Sequence, residues 1–485
     1  ARRERAKLDA IPTLGHNGIF TSYLTAWRYF FDGRAFIEEG CKKYPESAFK
    51  IPTFGGWQVV LHGRQMYDAM RRASEDELSV FKALDDLFKV PYTISPRLND
   101  HADYHVNTIL NALTRNINTK FPEIKDEVQD AFGKFLPAKE DGEWVEYTNI
   151  PSIMQKIVVR AVNRVFVGLP LCRNEDWCDL NVKFTISVAV NGLIIGLFPD
   201  FLHPIVGRIF SSRNTSFKRA SKHLMPMIDE RLEMVQVHGT GVDYDGKPND
   251  LLSWLIDECA RSGTEWQKGP GLVEELLLRM VSSNFGAIHT TSLVLSQALY
   301  YLAANPRLAG PLRAEITECF EQEGGWTRVA MGKMRLLDSF LKESARKLAV
   351  GAVAIPRVVG KDFALPNGVC LPAGTTVGLA GYYTHHDEST YPSPEEFKHS
   401  RFAEMGDNVK NLMTTPSESF LTFGAGRHAC PGRFFAVNML KALISHVILT
   451  YDVKLPDGDK LPEPMWLGSM VLPSTRATVM FRRRK

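Results

Sequence analysis

The chain has 485 residues, 44% of them hydrophobic and 23% charged, an ordinary globular balance that excludes wholesale disorder and collagen-like or low-complexity fibres. Its 58 Lys and Arg stand against 55 Asp and Glu, and a net charge of +3 falls far short of the concentrated basic face that nucleic-acid binding needs. The 7 cysteines contain no C-x-x-C pair, so no disulfide framework is expected and the chain reads as one from a reducing compartment.

The chain opens on Ala1 and the basic stretch ARRERAK, with no signal-peptide core and no bilayer-spanning run. Basic residues followed by Ile11-Pro12 would also suit the cytosolic side of a removed membrane anchor. Residues 47–63 read as a β-hairpin around Gly55-Gly56, and 64–235 as mostly helical, with apolar clusters spaced by three and four. Within that stretch, residues 191–210 (NGLIIGLFPDFLHPIVGRIF) are unusually apolar for a segment holding two prolines. They suit either buried core or a channel lip dipping into a membrane surface. Polar, glycine-bearing breaks follow at 238–250 and 261–271.

Between the second break and Pro306 the pattern predicts one long helix, spanning about 50 Å. Arg279, Asn284 and His289 interrupt its apolar character, so it reads as a buried central helix, not a membrane span. A shorter helix is expected over 334–348, strand-like pieces after Pro356 that include 368–380, and an irregular stretch over 384–422, a length of loop that is usually functional. A last helix begins near Pro431, strands close the chain at Val471 and Thr478–Phe481, and Arg482 to Lys485 read as a solvated tail. The expected fold class is mainly α with a minor β portion.

The sharpest chemical signal is Phe423-Gly424-Ala425-Gly426-Arg427-His428-Ala429-Cys430-Pro431-Gly432. Glycines around one cysteine leave room for a flat ligand, and Pro431 is placed to open a helix. Cys430 then stands at a helix N-terminus, where the dipole and free N–H groups lower a thiol pKa. A thiolate so held suits an axial ligand to haem iron, giving Cys430 the metal-ligand role. A bare buried cysteine beside a glycine-rich turn is the blander reading, and the full ten-residue spacing argues against it.

These residues resemble the haem-binding loop of the cytochrome P450 family, F-x-x-G-x-x-x-C-x-G, and the likeness extends along the chain. Glu343-Ser344-Ala345-Arg346 is similar to the family's E-x-x-R, and Phe397 to Phe402 to its F-x-P-x-R-F, with His399 in the proline's place. The resemblance implies a structural Glu–Arg–Arg network supporting the irregular stretch after residue 384. Gly286-Ala287-Ile288-His289-Thr290-Thr291 resembles the oxygen-binding motif of the central helix, with His289 where an acid is usual and Ala287 for its second glycine. Thr290 is the expected proton relay. His289 is either a shuttle near neutral pH or a satisfied core histidine. His428 and Arg357 match the positions that bind haem propionates, which makes them cofactor residues together with Phe423, Gly424, Gly426, Cys430 and Gly432. No clean W-x-x-x-R stands near residues 104–115, so that contact has no counterpart.

The resemblance implies a single haem-thiolate domain over residues 1–485 that binds haem b (iron protoporphyrin IX) and O2 and inserts one oxygen atom into a lipophilic substrate. Electrons would come from a separate NADPH-cytochrome P450 reductase. The H-T-T version of the oxygen motif resembles fungal members, and that resemblance points to terpenoids, triterpenoid or steroid-like first. A monomer is expected, with the inferred anchor placing it on the cytosolic face of the endoplasmic reticulum membrane. Three segments match substrate-contacting positions: the stretch before Gly286, Leu348 to Ile355, and Gly468 to Leu472. Ala349, Val350, Val353, Met470 and Val471 make them aliphatic, which is also what ordinary core looks like. Two rivals share the haem: an isomerase, dehydratase or peroxide-using enzyme, kept open by His289, and a non-catalytic sensor, disfavoured by Thr290.

Overall fold

The computed structural model describes residues 7–18, 20–98, 104–139, 142–262, 270–348, 351–456, 458 and 460–484. The basic residues 1–6, most of the 261–271 break, Ala349, Val350 and Lys485 lie outside the described residues.

Helices dominate, as expected, and they are organised by one of them. Pro270–Ala304 runs for 35 residues, starting where the second break ends. Ile150–Phe166, Arg335–Leu348, Glu175–Gly196, Arg213–His238 and Arg433–Thr450 all pack against it. A helix surrounded on this scale must be apolar on nearly every face, which is why its sequence shows no amphipathic stripe. Its interrupting polar residues are paired inside the bundle. Arg279 Nε donates to Glu275 at 2.6 Å. Asn163 links Asn284 to the indole N–H of Trp177, each at 2.9 Å.

The expected hairpin is present: Ala48–Thr53 pairs antiparallel with Gly56–Leu61, closing on Thr53 opposite Gly56. It is one edge of a five-stranded sheet whose order continues through Thr376–Ala380, Val353–Val359 and Leu78–Ser79. Gly56–Leu61 and Thr376–Ala380 run parallel, joining the two ends of the chain. Small additional sheets pair Met465–Leu467 with Met470–Leu472, Phe363–Ala364 with Cys370–Leu371, and Thr478–Arg483 with both Val145–Thr148 and Tyr451–Lys454. The strand Val145–Thr148 departs from the uniformly helical reading of 64–235, because a four-residue strand is too short to announce a period. The 384–422 stretch is irregular, as expected, apart from the end of a short helix at His385 and one turn of 3₁₀ helix at Val409–Asn411.

Two hydrophobic cores meet in this arrangement. The larger fills the helical bundle and includes Phe435, while a second, under the sheet, includes Leu421 and Ala425. The cysteine loop therefore spans the seam between the bundle and the sheet. Among the described residues two helices, Glu175–Gly196 and Arg433–Thr450, are long and apolar enough to cross a membrane by length and composition, and both are packed into the bundle here.

Burial also sets the response to acid. His446 packs on Phe132, with ring centroids 4.8 Å apart, and loss of solvent lowers its pKa from 6.5 to about 4. Between those values the unfolded chain binds a proton that the folded chain does not, so stability falls as pH falls through 6.5 toward 4. The displacement is worth roughly 3 kcal/mol. His446→Gln should therefore show a shallower loss of denaturation free energy between pH 7 and pH 4.5 than the parent chain, checked by urea titration at both pH values.

Candidate active site

The cysteine loop is held by its own backbone. Cys430 N–H donates to the Phe423 carbonyl at 2.8 Å, and Gly424 N–H to that of Leu421 at 3.0 Å. Gly424 and Gly426 sit at φ of 78° and 60°, the left-handed region that disfavours side chains. At Gly426 a Cβ would also collide with the Arg71 carbonyl. Gly432 has an ordinary φ of −85° and is the N-cap of Arg433–Thr450. Pro431 thus precedes the cap instead of opening the first turn, two positions before the first helical residue.

The thiol's environment corrects a second expectation. Enclosure raises the Cys430 pKa, while the backbone N–H groups of Gly432 and Arg433 and the Arg433 charge oppose the rise. The predicted donors are in place, but loss of solvent outweighs them. That balance suits a sulfur whose negative charge is neutralised by a metal rather than by water.

The central helix supplies the other side. In a helix otherwise packed among its neighbours, Gly286 and Thr290 are exposed, and a Cβ on Gly286 would meet nothing within 4 Å. Four residues apart, the two share one face, so that face opens on empty space midway along a buried helix. Thr290 Oγ1 donates to the Gly286 carbonyl at 2.8 Å. His289, one residue away, has Nδ1 3.1 Å from the Phe285 carbonyl, and burial lowers its pKa.

Arg357 and His428 approach each other through a residue the sequence reading missed, Glu75. Its Oε2 lies 3.4 Å from His428 Nε2, and its charge is the one that opposes the burial lowering the Arg357 pKa to about 10. Arg357 is 3% exposed and its Nε has no hydrogen-bond partner. It is aimed inward by a register break between Ala354 and Arg357, where Ile355 takes a φ of 52°, a strained value for a β-branched residue. A buried guanidinium with an unmet donor fits an anionic group such as a propionate. The open helix face and the enclosed thiol fit the rest of a flat, iron-bearing ligand. The residues present therefore suit haem.

Behind the loop, Glu343 holds two arginines. Arg346 donates Nε to one carboxylate oxygen at 2.7 Å and Nη2 to the other at 2.8 Å, and Arg401 Nε reaches Glu343 at 3.0 Å. The remaining guanidinium N–H groups take the carbonyls of His385, Pro392, Ser393, Pro394 and Glu396. This is the network that the E-x-x-R and F-x-x-x-R-F spacings imply, and His399 does not disturb it.

The Cytochrome P450 family model matches residues 79–481. The chain belongs to the cytochrome P450 family. Cytochrome P450 monooxygenase 151 of Postia placenta is 39% identical over 482 residues, covering 99% of this chain and 94% of its own length. Cytochrome P450 monooxygenase CYP512U6 of Ganoderma lucidum is 31% identical, covering 98% and 92%. Cytochrome P450 monooxygenase olcJ of Penicillium canescens is 30% identical, covering 99% and 89%. The chain is therefore a P450 oxidoreductase of monooxygenase type, and haem iron, O2, a substrate and a redox partner come with the family.

Besides Glu75, sequence reasoning missed the π-helical segment Thr108–Leu113, whose Ile109 stands against Gly432. A signal for Glu75 existed in the acidic run just ahead of the helix Val80–Phe88, where it accepts from Val80 N–H at 3.1 Å. The π segment had none, since a single extra residue in a helix leaves no mark on composition.

Glu343 and Arg346 are fully buried, so Glu343→Gln leaves two guanidinium charges enclosed and half-paired. Breaking such a pair costs about 3–5 kcal/mol. The expected result is a matching drop in denaturation free energy, with reduced haem content in the purified protein.

Proposed function

We propose that this chain, read as one haem-thiolate domain, uses haem b to insert one oxygen atom from O2 into a terpenoid, triterpenoid or steroid-like first. The observation that carries this is the open face of the central helix at Gly286 and Thr290. Cys430 would hold the haem iron through its sulfur. Phe423, Gly424, Gly426 and Gly432 shape the loop that would present it, and Arg357 and His428 would take the propionates. Haem, when bound, supplies the oxygen activation. Thr290 supplies a proton at the open face: its hydroxyl exchanges the Gly286 carbonyl for a new acceptor without breaking any backbone hydrogen bond of the helix. A lipophilic substrate agrees with the segments that flank the site. Ala352 N–H donates to the Ser469 carbonyl at 2.8 Å, bringing Val353, Met470 and Val471 to one junction.

Electrons arrive from an NADPH-cytochrome P450 reductase acting on a monomer. Arg71, Arg72 and Arg427 are exposed beside the cysteine loop and suit an acidic partner. The decisive test is mass-spectrometric product analysis with reductase, NADPH and a terpenoid and steroid panel. A reductase-dependent product carrying one added oxygen is expected. Cys430→Ala should abolish the thiolate-type absorption spectrum, and Thr290→Ala should raise NADPH consumed per product about tenfold or more. Product formation without NADPH would favour the isomerase or peroxide-using alternative.

Location on the cytosolic face of the endoplasmic reticulum membrane is the companion proposal. Phe201, Ile205 and Ile209 are 77%, 59% and 69% exposed on one stretch, and Phe20 and Leu24 are 86% and 65% exposed on another. The hairpin tip bridges the two: Phe54 packs on Trp27 at 5.1 Å, and a Cβ on Gly55 would lie 3.9 Å from the Gly196 carbonyl. Such an apolar surface suits shallow insertion into a bilayer. Phe201→Asp with Ile205→Asp should weaken co-sedimentation with phosphatidylcholine vesicles several-fold, while Val409→Asp, at a 70% exposed position outside this surface, should not.

A further inference from the structure

His289 stands one residue before the proposed proton donor, and its surroundings are those of a wall. Its ring lies 5.5 Å from that of Phe285, tilted by 36°, and Phe285 meets Phe88 edge-on at 5.1 Å. The Nδ1–H is spent on the Phe285 carbonyl, the last backbone acceptor a relay would want to occupy. Burial and that carbonyl are what set its proton affinity, and burial prevails. A shuttle needs a group that takes and yields a proton near the working pH, and burial here shifts the balance toward the uncharged ring.

The far end of the row is fixed as firmly as the near end. Phe88 closes the helix Val80–Phe88, and its carbonyl accepts from Thr93 Oγ1 at 2.7 Å. Gly192, on the neighbouring helix, lets the Phe88 backbone come so close that a Cβ there would stand 2.8 Å from the Phe88 oxygen. Three rings are thus pinned in a row from that helix to the residue beside Thr290.

We propose that His289 is a positioning residue: its ring ends an aromatic wall, Phe88–Phe285–His289, that holds flat lipophilic ring systems against the open face, and it moves no protons. The inference rests on the reading of that face as the substrate side. Aromatic pairs of this kind are worth about 0.5–1.5 kcal/mol each, which corresponds to about three- to tenfold in affinity.

The test uses the haem-loaded protein and 1-phenylimidazole as the ring-bearing probe, with Kd read from the Soret shift. His289→Phe keeps the wall without a titratable nitrogen. It should bind the probe within about twofold of the parent and keep product formed per NADPH unchanged from pH 6 to 8. His289→Ala and Phe88→Ala should each weaken the probe about three- to tenfold. Phe88→Ala secures the answer should the first variant fold poorly, because it removes the far end of the wall and leaves His289 intact. Uncoupling of His289→Phe to the level of Thr290→Ala, a change in the pH profile of coupling, or parent-like probe binding by both alanine variants would overturn the proposal. The probe titration needs neither reductase nor turnover. A parent enzyme that binds the azole but yields no oxygenated product would refute the substrate reading alone and leave the wall to be decided by binding.

Discussion

Everything on the thiol side of this protein hangs on one buried carboxylate. Glu343 is removed from water together with Arg346 and Arg401, and an enclosed ion set of this kind gives little net stability over a hydrophobic replacement. What it gives is geometry. The two guanidinium groups bind carbonyls from His385 through Glu396, so a stretch with almost no regular structure acquires a fixed shape through side-chain donors. Lys342 continues the same logic at the next turn of chain, with Nζ 3.2–3.4 Å from three successive carbonyls, Lys410 to Leu412. The loop that follows can present Cys430 only because the loop before it is held this way.

The seam between the helical and sheet cores explains why the site is there. A close-packed core leaves no room for a large planar ligand, but two cores that meet along a border leave room between them. Leu421 and Ala425 tie the cysteine loop to the sheet, and Arg433–Thr450 carries it into the bundle. Arg357 comes from the sheet and Thr290 from the bundle. The site is assembled from both sides, and the strain at Ile355 is the local cost of turning an arginine inward from a strand.

How much of this was legible depended on the range of each signal. The cysteine loop, the Glu–Arg pair and the long helix were readable because each is written in contiguous residues with fixed spacing. Only the part of Val353–Val359 after Pro356 read as strand-like in advance, because Pro356 and the break at Ile355 interrupt its alternation. Glu75 was legible only as part of an acidic run ahead of a helix: its partners Arg357 and His428 are most of the chain away, and nothing local marks the carboxylate as theirs. Phe285 fell in the stretch before Gly286 expected to contact substrate, whereas nothing singled out Phe88, and only the approach of the rings to one another groups them with His289. The backbone donors at Cys430 were legible because a helix N-terminus is visible in sequence, whereas the weight of the enclosure that opposes them was not.

The opening in the central helix raises a mechanical question, since a helix exposed midway to a cavity loses packing where it most needs to stay straight. Its answer is a series of cross-ties and back-bonds. Before the opening, Glu275 holds Arg279 and Asn163 holds Asn284. Along the helix, the hydroxyls of Ser283, Thr290, Ser292 and Ser296 each bond a carbonyl one turn back, at 2.7–3.0 Å. Such bonds are redundant with the backbone ladder, so any one can be exchanged cheaply. Three of these hydroxyls are buried or half-buried, and only that of Thr290 belongs to an exposed residue. The helix therefore carries an exchangeable hydroxyl donor at its exposed position, which is what the proposed proton role of Thr290 requires, with the ring of His289 held beside it.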